Sequence, residues 1–248
     1  ANIEWRRCYD IPKRKFISQH ITPSDLIQGG IGDCWLISAM SCLAEHHGAL
    51  HRLFDSRRVS ILGKYTVNLY NSVEKKWVKI TVDDQIPYMK NQNKPLFAQC
   101  QDNEIWPLLL EKAFAKFVGD YSKLKGGSIA WGLQALTGDN VMRFSQKERV
   151  WSKLRMVNMN GKIDPKSVAF LPAQERYEDD QMFEIFKEYD HTQSVLAAYI
   201  AHDCEWKRSN GIVAGHAYSI LRVEEIGNTK LLQLRNPWGK FEWNGEWS

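Results

Sequence analysis

A cysteine at residue 34 stands where an apolar helix is expected to begin, in the segment QGGIGDCWLISAM that spans residues 28–40. A thiol attacks a carbonyl carbon as the thiolate, and the amide dipoles at a helix N-terminus lower the pKa of a thiol placed there. A histidine oriented by a third polar group activates such a nucleophile further. Cys34 is therefore a candidate nucleophile for acyl transfer, although a cysteine at a helix start is more often a structural residue.

Two later segments supply the partners that a thiol nucleophile requires. His216 follows a glycine at the head of an apolar strand, AGHAYSIL (214–221), and Asn236 ends the next strand in LRNPWG (234–239). Two adjacent antiparallel strands would bring these side chains together. Asn236 would then fix the tautomer of the imidazole, which is the role of the third residue in a Cys-His-Asn triad.

Acyl transfer also requires hydrogen-bond donors for the oxyanion that forms on the attacked carbonyl. Gln28 precedes Cys34 by six residues across a glycine-rich turn. We expect its side-chain amide to point toward the same place as the backbone N–H of Cys34. The glycines between them allow the chain to turn tightly enough.

Hydrophobic periodicity predicts the elements that position these residues in the first half of the chain. A helix is expected over residues 35–46, beginning at or near Cys34, with Gly48 as its stop. Alternating residues at 64–71 and 76–84 predict a β-hairpin. Residues 104–121 predict a second helix with Pro107 in its first turn, and a glycine break follows at 124–128.

The second half of the chain is predicted to contain more strands than the first half. Helices are expected at about 129–136 and at 178–190, and strands at 194–201, 216–226 and 230–236. The pattern predicts a mainly helical lobe that carries Cys34, residues 1–127, followed by a mainly strand-built lobe, residues 128–248. A cleft between two such lobes is a common place for an active site.

Composition excludes several classes of protein. The 248 residues carry a net charge of +4 with scattered lysines and arginines, whereas a nucleic-acid surface needs a denser basic stripe. No apolar run is long enough for a transmembrane helix, and no signal peptide is visible. The five cysteines are odd in number and widely spaced, which argues against a disulfide framework and favours a reducing, cytoplasmic setting.

Two weaker binding patterns compete with this interpretation. His46, His47 and His51 lie close in sequence, and the last two could share a helix face and bind zinc. Gly48 interrupts that helix, however, and no acidic third ligand is evident. The ten tryptophans are dispersed along the chain, so core packing explains them better than carbohydrate or aromatic-ligand binding.

Four segments in this order resemble the protease core of the calpains, which are papain-like cysteine proteases. They are the nucleophile segment QGGIGDCWLISA, the helix and glycine turn DNEIWPLLLEKAFAKFVGDYSKLKGGS, the histidine segment AGHAYSI, and the asparagine segment RNPWGKFEWNGEWS. The resemblance covers nearly the whole chain and is weakest over about 140–195. It implies an α+β, papain-like two-lobe fold with the active-site cleft between the lobes.

The resemblance also implies roles for individual residues. Cys34 matches the nucleophile, His216 the general base and acid, Asn236 the residue that orients it, and Gln28 part of the oxyanion hole. Trp238 resembles the tryptophan that keeps the lobes of calcium-free calpains apart. Two glycines match positions whose backbone binds the substrate chain, namely Gly127 and Gly215.

Calpain cores bind calcium, an ion that takes six to eight oxygen ligands. By the resemblance, Asp25 and Glu104 match carboxylate ligands in the first lobe, and two backbone carbonyls would come from Ser18 and His20. In the second lobe Glu242 matches one ligand, and the other expected ligands would lie beyond Ser248. Without the resemblance, Asp25 would be interpreted as a cap and Glu104 as part of a first helical turn.

Three functions follow as hypotheses. The first is a calcium-dependent cysteine endopeptidase that performs limited proteolysis of protein substrates through a thioester, with regulatory domains elsewhere in the full protein. The second is a catalytically silent calpain-like module with a regulatory or scaffolding role. The third is another thiol acyl transferase, similar to the transglutaminases, in which Asp usually stands where Asn236 does.

Overall fold

The structure is a computed structural model that describes residues 3–17, 26–90, 94–100, 103–202, 205–238 and 240–248. These residues include four α-helices: α1 (Cys34–Ala44), α2 (Trp106–Val118), α3 (Ile129–Thr137) and α4 (Asp179–His191). All four coincide with helices expected from the sequence to within a few residues. Pro107 lies in the first turn of α2, as its fixed φ favours.

The described residues also form fourteen strands, paired throughout as antiparallel neighbours. The first six are β1 (Ile3–Arg7), β2 (Leu26–Ile27), β3 (Lys64–Asn71), β4 (Lys76–Asp83), β5 (Gln85–Met89) and β6 (Gln99–Cys100). They pair as β1–β5, β2–β6 and β3–β4. The predicted hairpin at 64–84 is confirmed by β3 and β4.

The remaining strands follow α3. They are β7 (Met142–Lys147), β8 (Val150–Asn158), β9 (Val168–Tyr177), β10 (Ala197–Ile200), β11 (Trp206–Lys207), β12 (Val213–Ala214), β13 (His216–Ile226) and β14 (Thr229–Arg235). They form two three-stranded sheets, β7–β8–β9 and β10–β13–β14, and the small hairpin β11–β12.

The secondary structure differs from the expectation in two places. The segment before residue 128 is not mainly helical, because six strands accompany α1 and α2 there. The sheet β7–β8–β9 was not expected, because most of its residues are exposed or half-buried on both faces. Such strands lack the alternation of apolar and polar residues that marks a half-buried strand.

Helix α1 lies at the centre of the main core, and its residues from Trp35 to Ala44 are all buried. Trp35 donates its indole N–H to the carbonyl of Leu124 at 2.9 Å and meets the rings of Phe114 in α2 and Trp131 in α3 edge to face. The main core around α1 therefore includes α3, which begins just after the expected lobe boundary between residues 127 and 128. That boundary stays a prediction.

Three hydrogen bonds attach α1 to β13 and to the residue that precedes β10. Ser38 Oγ donates to the carbonyl of Ala217 at 2.9 Å, and Ser219 Oγ donates to the carbonyl of Ser38 at 3.4 Å. Cys42 Sγ contacts the carbonyl of Leu196 at 3.1 Å. These groups are buried or nearly so, where breaking a hydrogen bond is costly. They fix the helix that begins at Cys34 against the strand that begins at His216.

No helix in the described ranges combines the length and the apolar character that crossing a membrane requires. Three of the described cysteines, Cys8, Cys34 and Cys42, are free thiols. Cys204 lies outside the described residues.

A pair of carboxyl groups is buried beneath the start of α1. Asp33 is fully buried and Glu111 of α2 is 2% exposed. Burial raises the pKa of Asp33 to about 6, and burial together with the Asp33 charge raises the pKa of Glu111 well above its ordinary value. Glu111 Oε1 accepts a hydrogen bond from the backbone N–H of Ala98 at 3.0 Å. The folded protein therefore holds protons that the unfolded chain releases.

This pair makes the folding stability depend on pH. Both pKa values are raised on folding, so the stabilisation is full below about pH 4 and is lost as pH rises through about 6 and above. We expect the free energy of unfolding of the wild type to fall by about 2 kcal/mol between pH 5 and pH 8. Glu111→Gln keeps an acceptor for Ala98 and removes one of the two titrating groups, so its stability should fall by less than that of the wild type over that range, and the remaining dependence is that of Asp33.

Urea denaturation at pH 5, 6.5 and 8 measures this difference. Glu246→Gln, which changes an exposed carboxylate, is the matched control and should keep the wild-type slope. Equal slopes for wild type and Glu111→Gln would show that the pair does not govern the pH dependence.

Candidate active site

Cys34 is the first residue of α1 and is half-buried. The preceding residue, Asp33, is the N-cap, and its carbonyl accepts from the backbone N–H groups of Leu36 at 2.8 Å and Ile37 at 3.1 Å. The thiol thus lies at the N-terminus of a helix, as the sequence predicts. Its side chain faces the first residues of β13.

The structure brings His216 and Asn236 together. His216 begins β13 and Asn236 follows β14, so both lie at the same end of an antiparallel pair. His216 Nε2 is 2.9 Å from Asn236 Oδ1, and both side chains are fully buried. Asn236 Nδ2 donates to the carbonyls of Lys240 at 3.2 Å and Phe241 at 3.0 Å. This fixes Oδ1 toward the histidine, so Nε2 carries a proton and donates it.

Trp238 covers the imidazole. Its ring centroid lies 4.7 Å from that of His216, and its backbone N–H donates to Asn236 Oδ1 at 3.0 Å. Lys207 Nζ lies 5.3 Å from the centroid of the Trp238 ring. A tryptophan in this position limits water access to the bond between His216 and Asn236. The expected role of Trp238 in separating two lobes stays a prediction.

Gln28 belongs to a segment tied to the asparagine loop, because its backbone N–H donates to the carbonyl of Pro237 at 3.4 Å. Its side-chain oxygen is buried without a hydrogen-bond partner among the described residues. Next to it, a Cβ added to Gly29 would lie 1.9 Å from the carbonyl oxygen of Phe97, so this close approach requires glycine. The turn therefore fixes Gln28 beside the loop that carries Asn236.

A carboxylate that was not expected contacts the histidine. Glu205 Oε1 lies 2.8 Å from His216 Nδ1, and the glutamate side chain is 39% exposed. The donor atoms of Cys34, Glu205 and His216 all lie within 4.8 Å of one another. Glu205 thus occupies the side of the imidazole that a Cys-His-Asn mechanism assigns to the thiol.

The sequence carried a signal for this contact. Asn210 and Gly211 form the kind of dipeptide that marks a β-hairpin turn, and they join β11 to β12. The pairing of Trp206 with Ala214 carries the chain back, so that Glu205, just before β11, comes beside the start of β13. Recognising this hairpin would have placed a carboxylate near His216.

The expected lowering of the Cys34 pKa is wrong for this structure. Burial and the charges of Glu205 and Asp33 raise the pKa of the thiol to about 12, while the backbone amides of Trp35 and Ala217 act in the opposite direction. A helix N-terminus favours a thiolate by a modest energy, which burial and two carboxylates exceed. The raised pKa disfavours the thiolate form of Cys34 at neutral pH.

The two glycines expected to bind substrate serve packing and pairing in the described structure. A Cβ at Gly127 would lie 2.7 Å from the Trp35 ring and 3.0 Å from Pro165, so a larger residue there would displace that ring. Gly215 separates β12 from β13, and its N–H donates to the carbonyl of Ile200 at 2.7 Å. Their substrate contacts stay predictions.

Among the expected calcium ligands, Glu104 lies within the described first half, where its side chain is 1% exposed. Glu104 Oε2 accepts a hydrogen bond from Trp106 Nε1 at 2.6 Å. Ser18, His20 and Asp25 lie outside the described residues. Glu242 follows the asparagine loop, and burial raises its pKa.

The histidine cluster proposed as an alternative zinc site does not lie on one helix. Helix α1 ends at Ala44, before His46 and His47, and His51 belongs to the short 3₁₀ helix Leu50–Leu53. Within the described ranges, the three-residue group with the spacing of metal ligands is the one formed by Cys34, Glu205 and His216.

Comparison with known proteins agrees with this geometry. A family model described as "Calpain family cysteine protease" matches residues 1–248. The chain is 35% identical over 264 residues to the calpain-type cysteine protease ADL1 of Oryza sativa subsp. japonica, covering 99% of this chain and 11% of that protein. It is 30% identical over 257 residues to calpain-9 of Homo sapiens, covering 98% of this chain and 32% of that protein.

The chain thus spans about a tenth to a third of the length of these relatives. The similarity concerns the segment that contains the cysteine, histidine and asparagine described above.

The contact between Glu205 and His216 leads to a prediction about thiol reactivity. Glu205→Gln removes a negative charge near Cys34 and lowers the pKa of the thiol, so more thiolate forms at neutral pH. We expect the rate of alkylation of Cys34 by iodoacetamide at pH 7.5 to increase by about tenfold, which corresponds to about one pKa unit. Peptide mapping by mass spectrometry distinguishes Cys34 from the other cysteines.

The control for this prediction is Glu246→Gln, which should alkylate at the wild-type rate. A Glu205→Gln rate equal to or below that of the wild type would contradict the proposed effect of the carboxylate on the thiol.

Proposed function

Because the chain belongs to the calpain family of cysteine proteases, we propose that it is a cysteine endopeptidase that hydrolyses peptide bonds in protein substrates through Cys34, His216 and Asn236. The observation that carries the proposal is the hydrogen bond of 2.9 Å between His216 Nε2 and Asn236 Oδ1, with the Cys34 sulfur within 4.8 Å of the histidine. This bond leaves Nδ1 as the nitrogen that can exchange a proton with the thiol.

The reaction proceeds through a thioester. His216 Nδ1 accepts the proton of Cys34, and the thiolate attacks the carbonyl carbon of the scissile peptide bond. The oxyanion that forms accepts hydrogen bonds from the Cys34 backbone N–H and from the side-chain amide of Gln28. His216 then donates its proton to the leaving amine, and water hydrolyses the thioester.

Catalysis requires Glu205 to release His216. In the described arrangement Glu205 Oε1 lies 2.8 Å from Nδ1, the atom that would accept the thiol proton, and the pKa of the Cys34 thiol is raised to about 12. Glu205 is partly exposed and precedes a two-residue strand, so a small movement of this segment separates it from the imidazole. The hydrogen bond between His216 and Asn236 is kept during that movement, because both side chains are buried, one in β13 and one in the loop after β14.

Calcium binding in the first lobe is part of the proposal, and the described residues near Glu104 fit it. The segment before residue 18 pairs with the segment of Glu104: Ile105 donates to the Lys15 carbonyl at 3.0 Å, and Trp106 donates to that of Phe16 at 3.2 Å. The segment after residue 25 returns to the same region, because Leu26 pairs with Cys100.

The described residues on either side of 18–25 therefore both pair with the chain close to Glu104. Asp25 and Glu104 would supply carboxylate oxygens, and Ser18 and His20 backbone carbonyl oxygens, which are the donors that calcium prefers. Bound calcium would supply positive charge that holds these segments together. In the second lobe, Glu242 is the proposed ligand.

The expected substrate contacts fit an extended peptide. Gly127 and Gly215 lack side chains where a substrate backbone would approach. Trp238 lies over the imidazole of His216. Movement of Trp238 would then control access to the thiol. The free thiols of Cys8, Cys34 and Cys42 support a reducing, cytoplasmic location, and the length of the relatives supports additional regulatory domains in the full protein.

A catalytically silent, calpain-like module is the second candidate. The pairing of Glu205 with His216 and the raised pKa of Cys34 favour it, because both disfavour a thiolate. The two candidates differ in whether the chain cleaves protein at all when calcium is present.

Cleavage of an unfolded protein, such as fluorescently labelled casein, distinguishes them. We expect the chain to cleave this substrate in the presence of calcium, and Cys34→Ala to reduce the rate by at least a thousandfold, since no other group can form the thioester. Glu104→Gln keeps an acceptor for Trp106 but removes a ligand charge, so it should require at least tenfold more calcium for half-maximal rate.

Cys100→Ala is the matched thiol control and should cleave at the wild-type rate. Cleavage retained by Cys34→Ala would contradict the assignment of the nucleophile. No cleavage by the wild type at any calcium concentration would favour the silent module. A cleavage rate independent of calcium would contradict the proposed calcium site but not the proposed nucleophile.

A further inference from the structure

Three different metal-binding side chains converge at the start of α1. Cys34 offers a sulfur, Glu205 a carboxylate oxygen and His216 a ring nitrogen, and the three atoms lie within 4.8 Å of one another. They come from separate elements: the first residue of α1, the residue before β11 and the first residue of β13. Hydrogen bonds between α1 and β13 hold two of the three in place.

The hydrogen bonds of Asn236 determine which ring nitrogen of His216 carries a proton. Asn236 donates both hydrogens of its amide to the carbonyls of Lys240 and Phe241, so its Oδ1 accepts from His216 Nε2. A neutral imidazole protonated at Nε2 presents a lone pair at Nδ1. That lone pair would face a carboxylate oxygen of Glu205 at 2.8 Å, which is a contact between two acceptors. A proton or a cation must therefore lie between them.

We propose that Cys34 Sγ, Glu205 Oε1 and His216 Nδ1 form a binding site for a zinc ion that inhibits the enzyme. Zinc binds thiolate at about 2.3 Å and imidazole nitrogen or carboxylate oxygen at about 2.0–2.2 Å, with tetrahedral geometry. Those lengths place the donors about 3.3–3.6 Å apart. The described side chains reach that spacing by movements of about an ångström, and a water molecule takes the fourth position.

The surroundings suit a zinc ligand set. A metal-bound histidine usually donates its other ring N–H to an oxygen acceptor, which fixes the tautomer and orients the ring. Asn236 Oδ1 does this for His216 at 2.9 Å. Glu205 is 39% exposed and provides the route by which the ion enters from solvent. The metal takes the place of the proton between Glu205 and His216 and of the thiol proton, and both protons pass to water.

Zinc at this position prevents the thiolate from attacking a substrate and removes the base that would accept its proton. As a means of regulation the proposal rests on the proposed function, because it uses the same thiol and imidazole. As a binding site it is tested without substrate, so its failure is distinguishable from a failure of the proposed function. Glu205 is the one proposed zinc ligand that is not a member of the proposed catalytic triad.

The test titrates the intact chain with ZnCl₂ in calcium-free buffer by isothermal titration calorimetry, and with CoCl₂ to observe the charge-transfer absorption of a cobalt–thiolate bond. We expect the wild type to bind one zinc ion and to show the cobalt–thiolate band. Glu205→Gln should weaken zinc binding by at least tenfold, and Cys34→Ser should abolish the band. Zinc should also protect Cys34 of the wild type from iodoacetamide.

Two controls keep the test specific. Glu246→Gln and Cys100→Ser should both bind zinc as the wild type does. Unchanged zinc affinity in Glu205→Gln, a cobalt–thiolate band retained by Cys34→Ser, or a loss of affinity in Cys100→Ser would each overturn the ligand set. Far-ultraviolet circular dichroism verifies that each variant is folded, and Glu205→Asp should restore part of the affinity lost in Glu205→Gln.

Discussion

In the proposed mechanism, one nitrogen atom of a buried histidine controls the reaction of Cys34. His216 Nε2 is committed to Asn236, whose own amide hydrogens are held by two backbone carbonyls. Nδ1 is then the nitrogen through which the imidazole can act on Cys34, and Glu205 contacts it at 2.8 Å. The thiol of Cys34 and the carboxylate of Glu205 therefore compete for contact with Nδ1. In the described arrangement the carboxylate makes that contact.

The rest of the fold fixes the positions of Cys34 and His216 and leaves Glu205 less constrained. Helix α1 is buried along its length and is hydrogen-bonded to β13 through Ser38 and Ser219, so the thiol and the imidazole are carried by rigid, connected elements. Glu205 instead precedes a strand of two residues and is partly exposed. The carboxylate is thus expected to be the partner that moves, because its side chain is partly exposed whereas the histidine is buried.

The sequence predicted the elements whose periodicity is strong, and the four helices and the hairpin β3–β4 follow it closely. It also predicted that strand neighbours would bring His216 and Asn236 together, since antiparallel pairing of consecutive strands leaves few alternatives. Strands β7–β9 escaped prediction because they are half-exposed on both faces. The pKa of Cys34 could not be predicted because it depends on burial and on Glu205 and Asp33, and these are properties of the tertiary structure.

The central claim is that Cys34 is a protonated thiol while Glu205 holds His216. The most direct measurement is the rate of alkylation of Cys34 as a function of pH in the calcium-free wild-type chain, followed by peptide mapping. With a pKa of about 12, the rate should continue to rise from pH 6 to pH 9 without reaching a plateau. A plateau reached below pH 7 would mean that the thiolate is already formed, and it would contradict the account.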